Sequence, residues 1–593
     1  MCYNQLNHIV KWGLDPSYPD AGDDVAQVES ISKAEAVKQQ SRQLRGHIAR
    51  DLADMTVPFD KEEYSLLKFH GVYQGYDRDS ATSLKQRGES KIWQFMVRVR
   101  IPGGRLTAGQ YLALDALADR YADGSLRITA RQSIQFHGVV KAGLKATIAE
   151  VNAALLTTLA ACGDVVRTVT TVPAPIRDLV HRRLEADARR LSTHLLPRTR
   201  GYHEIWVEGA PWQEDQSTTE EPDPLYGDRY LPRKFKAGLA IPEDNTIDVL
   251  TNDLAIVPLF EGEHLAGYNF LLGGGHGMTH NNPKTYPRLA SPVAFVEPED
   301  LLEAAAAVVR LHRDHGDRAN RRHARLKYVI AENGEEWARE RLEEYLGKAL
   351  APCRAMPPFT VPDHLGWHEQ GDGRLYLGIP VSSGRVVDNE RALLRTALRE
   401  IVERFRCDPI LMPSQDIILS EIRPQDRDSI EDVLREHGVR LAQDITPADR
   451  WALACPGLPS CGLALTEAER VRDDIVAAIE ARLRRYGLER ERLSIRITGC
   501  PNGCARPYTG DIGIVGRQPG FYSLYVGGDF AGARLNTPVA AKVPLDAIAE
   551  TLDPLFELFS ASRIAGEGFG DFCHRAGLPA MQQALAELRI GAA

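Results

Sequence analysis

A chain of 593 residues is long enough for several domains, each with a core of its own. Its 43% hydrophobic and 26% charged content is ordinary for a soluble globular protein, and a net charge of −9 argues against a nucleic-acid binder, whose footprint would be a basic surface, so any anion site must be assembled locally. The N-terminus MCYNQLNHIVKWGLDPSYPD has no basic segment followed by an apolar run, no stretch approaches the length of a membrane span, and nine cysteines, an odd number, do not read as a disulfide framework. A reducing cytoplasm is expected.

In chain order, residues 1–85 read as an N-terminal extension whose helical tract, Ser30 to Met55, is a candidate arm for docking a partner protein. FMVRVRIPGGRLT follows as a strand with Arg98 and Arg100 on one face and Val97, Val99 and Ile101 on the other. After a helical stretch, RITARQSIQFHG reads as one strand that presents Arg127, Thr129, Arg131, Ser133, Gln135 and His137 together. A solvated strand face is the plain reading of such alternation; a cationic, hydrogen-bonding site is the other. Cys162, five residues before Arg167, is by default a small apolar filler. The polar tract Gln213 to Asp223 has no apolar residue to bury and is expected to be a mobile loop.

In YLPRKFKAGLAIPEDN, Lys234 and Lys236 project to one side and Phe235 to the other. Alone this is a basic surface strand, but Pro232 and the apolar run Ala237 to Ile241 carry it into a core, where unpaired lysines are costly. The turn FLLGGGHGMTHNNPKTYPR is expected to offer an anionic ligand backbone donors at Gly274 and Gly275 and cations at Lys284 and Arg288; no helical pattern follows it, so it is a poor dinucleotide fingerprint. Pro298 to Arg325 has helical periodicity and reads as a connecting helix rather than a metal site, despite His312, His315 and His323.

LYLGIPVSSGR and ILMPSQDIILSEI then repeat the first strand, helix, strand unit with its charges removed: Tyr376 and Gly378 stand for Arg98 and Arg100, and Met412 and Ser414 for Thr129 and Arg131. The pattern predicts a mixed α/β fold (α+β mixed sheets) with pseudo-twofold organisation. Half-repeats at 86–155 and 365–435 pair, each is followed by a larger α/β module, 156–345 and 436–593, and ligands sit at the junctions.

The last module carries Cys455 and Cys461 in ACPGLPSC and Cys500 and Cys504 in TGCPNGC. Four thiolates in two close pairs suit an iron–sulfur cubane. Structural zinc is the alternative, although five residues between the first two cysteines exceed the usual zinc spacing; it would make the chain a colourless, non-catalytic binding module.

RITGCPNGCARP and ACPGLPSCGLALTEAER resemble the two cluster motifs of the sulfite and nitrite reductases that couple a [4Fe-4S] cluster to siroheme, and the resemblance runs from about Ser41 to Gly577. It implies the three-domain siroheme reductase architecture, four cluster ligands with Cys504 also bridging to the siroheme iron, and Arg127, Thr129, Arg131, Gln135, His137 and Asn502 among the cofactor contacts. It places Arg98, Arg167, Lys234 and Lys236 around the substrate, and the reaction it implies is six-electron reduction of sulfite to sulfide for sulfate assimilation and cysteine biosynthesis. Nitrite reduction to ammonia is the neighbouring possibility; nitrite-specific relatives tend to carry a neutral Asn at the position of Lys236. No flavin domain or strand-bounded G-x-G-x-x-G is present, so electrons come from another protein: by resemblance an NADPH-dependent flavoprotein subunit, alternatively a ferredoxin. In some relatives a cysteine spaced like Cys162 is linked to an active-site tyrosine, for which Tyr73 is the candidate.

Overall fold

A computed structural model describes residues 31–54, 56–208 and 221–591. The two half-repeats fold as equivalent units. In the first, strand Trp93–Arg98 leads to helix Ala108–Tyr121, a hairpin of Leu126–Ile128 and Ile134–Val139, and helix Leu144–Ala153. In the second, Leu375–Ile379 leads to helix Leu394–Phe405, a hairpin of Asp408–Leu411 and Ile417–Ile422, and helix Arg427–Glu436. The first helix begins on a capping box, Thr107 accepting from the Gln110 backbone and Gln110 returning to Thr107, which stops the preceding strand from running on.

Each half completes the other's sheet. Arg385–Val386 pairs antiparallel with Arg127 and Leu126 of the first hairpin, and Arg105 bridges to Ile410 of the second. The turns feeding these crossings are matched: Gly104 and Gly384 both have φ of +73°, and a Cβ on either would stand 2.4 Å from Leu411 O or 2.3 Å from Ile128 O respectively. Only glycine permits that mutual approach.

Two further sheets share a second common plan, a short strand parallel to its neighbour followed by two antiparallel strands. They are Ala237–Leu239, Leu254–Glu261, His264–Leu272 and Ser291–Val296, and Ile495–Thr498, Ile512–Gln518, Phe521–Val526 and Thr537–Pro544, the latter with Leu453–Ala454 added at its edge. In both, a buried aspartate just ahead of the second strand accepts from a backbone N–H of the first segment: Asp253 from Lys236 at 2.8 Å, Asp511 from Ser494 at 2.8 Å. Among the described residues no helix is long and apolar enough to cross a membrane.

Several expectations need correction. RITARQSIQFHG is a hairpin, not one strand; Gln132, at φ of +52°, turns the chain, while period-two alternation runs unbroken through the turn and hides it. Arg127 pairs directly across from Gln135, so these two and His137 still share a face, and Arg131 lies in the turn. The repeat is also in a different register: Arg98 pairs with Gln135 as Gly378 pairs with Ile418, so Gly378, not Tyr376, is the counterpart of Arg98.

The helical tract at 30–55 is broken by positive φ at Arg42, Gln43 and Leu44, and its described part is docked rather than projecting. Glu35 and Lys38 are buried, and Lys38 Nζ donates to Leu231 O at 2.6 Å. Of the tract 213–223, residues 213–220 lie outside the described residues, and Asp223 is buried, accepting from the N–H groups of Arg198, Leu225 and Tyr226. The expected connecting helix spans Leu301–His315 and stops there; His312 bonds Ala324 O at 2.9 Å and His323 stacks on Tyr328.

Candidate active site

Three segments bring cations to one place. Strand Trp93–Arg98 supplies Arg98, whose Nη1 donates to Cys162 Sγ at 2.9 Å. The loop behind Cys162 supplies Arg167, which donates through Nε and Nη2 to Gly163 O at 3.3 Å and also bonds the Tyr73 hydroxyl. Tyr73 therefore lies against both Arg167 and Cys162, and burial together with the nearby thiol raises its pKa. Lys234 and Lys236 come from the segment entering the sheet at Ala237.

Neither lysine ammonium has a protein hydrogen-bond or ion-pair partner among the described residues. Burial, then the guanidinium of Arg167, draws Lys234 down from 10.5 to about 7; burial, then Arg131, draws Lys236 well below its ordinary value. Both are half-buried. Uncompensated ammoniums at that depth call for an anion.

The thiols lie close to these lysines. Cys455, Cys461 and Cys500 are buried or half-buried and Cys504 is exposed; Lys234 and Lys236 both lie within electrostatic reach of Cys504. Burial first, and then the neighbouring Cys504, disfavours the thiolates of Cys455, Cys461 and Cys500, the last pushed up to about 12. Buried thiols of this kind ionise together only around a cationic centre. A zinc ion with bonds of about 2.3 Å would hold its sulfurs about 3.8 Å apart. Among the described residues the one set of three metal-capable side chains within 4.8 Å of one another is Asp51, Asp60 and Glu63, so the four cysteines are not drawn into that spacing. Asn502 supports that loop, bonding Cys500 through both backbone and side chain.

The residues expected to meet the cofactor divide into two groups. Arg131 reaches Asn252 Oδ1 at 2.8 Å and the carbonyls of Thr168 and Ala237, with no carboxylate partner and its Nε buried and unbonded. With its amide oxygen turned to Arg98, Gln135 accepts from Arg98 Nε at 3.1 Å. His137 is buried, held neutral by burial and by the Arg385 and Arg127 guanidiniums. This group, with both unpartnered ring nitrogens of buried His276, fits a polycarboxylate.

The second group serves the protein instead. Arg127 is ion-paired with Glu469, which also pairs with Arg385. Thr129 caps its own hairpin turn, accepting from the N–H groups of Arg131 and Ser133. The Gly274 N–H is engaged by Asn252 O and the Gly275 N–H by Arg288 O, so the expected backbone donors are not free. Arg288 braces the same turn, donating to the carbonyls of Leu272, Gly273 and Leu289, and Lys284 is exposed beside a surface groove of about 210 Å³. Arg100, expected beside Arg98, is buried against Ser192 and the carbonyls of Ala160 and Val166.

Sequence reading missed the braces. Asp253 orders the Lys236 backbone and pairs with Arg325; Asp248 receives both Arg496 and Arg506, the latter two residues past Cys504. Lys327 Nζ donates to Gly275 O, Gly277 O and Tyr286 O. The acidic residues of EDNTIDVLTND were a signal that could have been followed, since such density ahead of an apolar strand asks for basic partners.

Known proteins resemble this chain over most of its length. The family model for the nitrite and sulphite reductase 4Fe-4S domain matches residues 186–350 and 448–592, and that for the nitrite/sulfite reductase ferredoxin-like half domain matches 92–154. The chain is 45% identical to the sulfite reductase [NADPH] hemoprotein beta-component of Myxococcus xanthus, covering 93% of this chain and 97% of that one. It is 42% identical to the sulfite reductase [ferredoxin] of Synechococcus elongatus, covering 94% and 91%. The solved structure of Mycobacterium tuberculosis NirA shares the fold, with a TM-score of 0.74 at 24% identity over 93% of this chain and 98% of that one.

Proposed function

The chain belongs to the nitrite and sulphite reductase family, and from that premise we propose that it reduces sulfite to sulfide in sulfate assimilation, with siroheme and a [4Fe-4S] cluster as its cofactors. The observation that carries the reading is that two unpartnered lysines, Lys234 and Lys236, lie within electrostatic reach of Cys504. Cys455, Cys461, Cys500 and Cys504 would hold the cluster, with Cys504 also reaching the siroheme iron, and Arg131 and His276 would face siroheme carboxylates. When bound, these groups supply single electrons and an iron that ligates the substrate.

The chain's own contribution is charge and protons. The guanidiniums of Arg98 and Arg167 would hold oxygens of a small dianion, each already oriented by a protein contact. Lys234, poised at about 7, can both donate a proton and regain one, as each S–O bond cleavage requires. A bound dianion raises both lysine pKa values, so substrate binding itself charges the donors. Two lysines together suit a dianion better than the smaller nitrite monoanion.

Electrons would come from a separate protein in the cytoplasm. An NADPH-dependent flavoprotein subunit is favoured by the names of several relatives that match over most of this chain; the ferredoxin-dependent relative keeps the other donor open. Chemically reduced viologen bypasses the donor: with cofactor-loaded protein, sulfide should form from sulfite at a higher kcat/KM than ammonia from nitrite. The reverse preference would overturn the substrate.

A further inference from the structure

Beside the cations already assigned to substrate lies a second cluster. Lys68, at the end of helix Lys61–Leu67, packs its ammonium over the Tyr64 ring at 3.8 Å and has no acceptor among the described residues. Arg233, immediately before Lys234, likewise has none. Arg321 closes the corner, donating to Asp164 Oδ1 at 3.0 Å and Pro232 O at 3.3 Å, with its side chain 36% exposed.

The elements converge tightly. Phe69 packs on Tyr230 at 5.3 Å and against Gly163, and the Leu231 N–H donates to Asp164 O, so Lys68, Arg233 and Arg321 share one wall with the loop that carries Arg167. The carboxylate in this corner, Asp164, is engaged by Arg321 at 2.7 Å and lies 3.8 Å from Lys38. Arg233 and Arg167 both contribute to drawing Lys68 down to about 8, behind burial and Arg321. Cationic side chains therefore follow one another from the surface at Arg321, where Asp164 compensates one charge, through Lys68 and Arg233, to Arg167 and Lys234.

The geometry points to a vestibule: Lys68, Arg233 and Arg321 form a transient subsite for a small oxyanion on its way to Arg167 and Lys234. The need for it follows from the charge of the whole chain, −9, which repels a dianion from the bulk surface unless a local path reverses the field. This inference rests on the proposal that sulfite is the substrate, and it assigns to Lys68 and Arg233 a part in capture rather than in chemistry.

The test is stopped-flow binding of sulfite to the cofactor-loaded full chain, followed in its visible spectrum, for the unmodified protein and for Lys68→Gln with Arg233→Gln. At an ionic strength of about 0.01 M the double variant should bind sulfite about tenfold more slowly, and the two rates should converge near about 0.5 M salt. Its kcat/KM should fall more than its kcat. Carbon monoxide, a neutral ligand, should bind the reduced forms of both proteins at equal rates. Equal sulfite rates with equal salt slopes would overturn the vestibule, as would a matching loss for carbon monoxide, or loss of siroheme from the variant, which would assign these cations to the cofactor. If the unmodified protein itself fails to respond to sulfite while responding to nitrite, the substrate proposal fails instead.

Discussion

Gly378 occupies in the second half-repeat the position that Arg98 holds in the first: each sits opposite the hairpin residue equivalent in the other half, Ile418 and Gln135. A Cβ at Gly378 would lie 1.9 Å from His364 O, so one copy of the scaffold points a guanidinium inward where the other admits no side chain. Gly378→Ala should cost at least ~2 kcal/mol of stability through overpacking against backbone. Arg98→Met should change stability by less than about 1 kcal/mol while lowering kcat/KM for sulfite about a hundredfold. Thermal melts and steady-state turnover of the two variants separate these effects.

Lys234 is held at about 7 chiefly by burial, so its ammonium loses its proton as pH rises through neutrality, long before an ordinary lysine would. The free protein's affinity for an anion should fall over that range, and kcat/KM for sulfite with it. Arginine keeps its charge there. In Lys234→Arg the falling limb should move to about pH 9 or above, with a lower kcat because guanidinium is a poor proton donor. A limb at the same pH in both proteins would assign the ionisation elsewhere.

Lys236→Asn removes one unpartnered charge and leaves Arg98, Arg167 and Lys234. Sulfite turnover should fall by about tenfold more than nitrite turnover, the dianion losing the larger Coulomb interaction. Parallel loss of kcat/KM for both substrates would remove this basis for preferring sulfite.

Cys504 is the exposed thiol of the four, and Cys573 is an unrelated buried one. Cys504→Ser should lower iron per chain and abolish the visible spectrum of the coupled cofactors together with sulfite reduction. Cys573→Ser should leave iron content unchanged and lower only the melting temperature. An intact spectrum and normal turnover in Cys504→Ser would refute the bridging role.

Asp416 is buried and its pKa is raised to about 7, burial outweighing the hydrogen bond from Val381 N–H. A carboxyl whose folded pKa exceeds its unfolded value of 3.8 binds more protons when folded, so its effect on stability worsens as pH rises from about 4 to about 7 and is level above that. Asp416→Asn should therefore be more stable than the unmodified protein at pH 8, by on the order of 1–3 kcal/mol, and nearly equal to it at the acid end. Calorimetry across that range gives the comparison.

Much of the candidate site was legible because its chemistry is local: the cysteine pairs, PRKFK and Arg98 of FMVRVR each lie within short motifs. The duplication was readable as well, but its register was not, because nothing in LYLGIPVSSGR marks the two-residue offset that His364 O imposes on Gly378. The hairpin at Gln132 escaped for a related reason: the turn contains no glycine or proline, and alternating side chains mimic one strand. Arg127, Arg288, Gly274 and Gly275 looked available to a ligand because their true partners, Glu469, the turn carbonyls, Asn252 and Arg288, are distant in sequence or meet only across the turn. Residue type shows that a group can bind an anion; only packing shows whether it is already engaged.

The crossed strands carry a consequence for how the chain is made. Arg385 and Ser125, which hydrogen-bond side chain to side chain, are separated by 260 residues, and the first hairpin cannot cover its edge until Arg385–Val386 has been synthesised. During translation the N-terminal half is thus a sheet with an open margin, the situation in which strands recruit the wrong neighbour. Chains truncated between the halves should accumulate as aggregates, and supplying the missing half as a separate polypeptide should rescue solubility by reciprocal complementation.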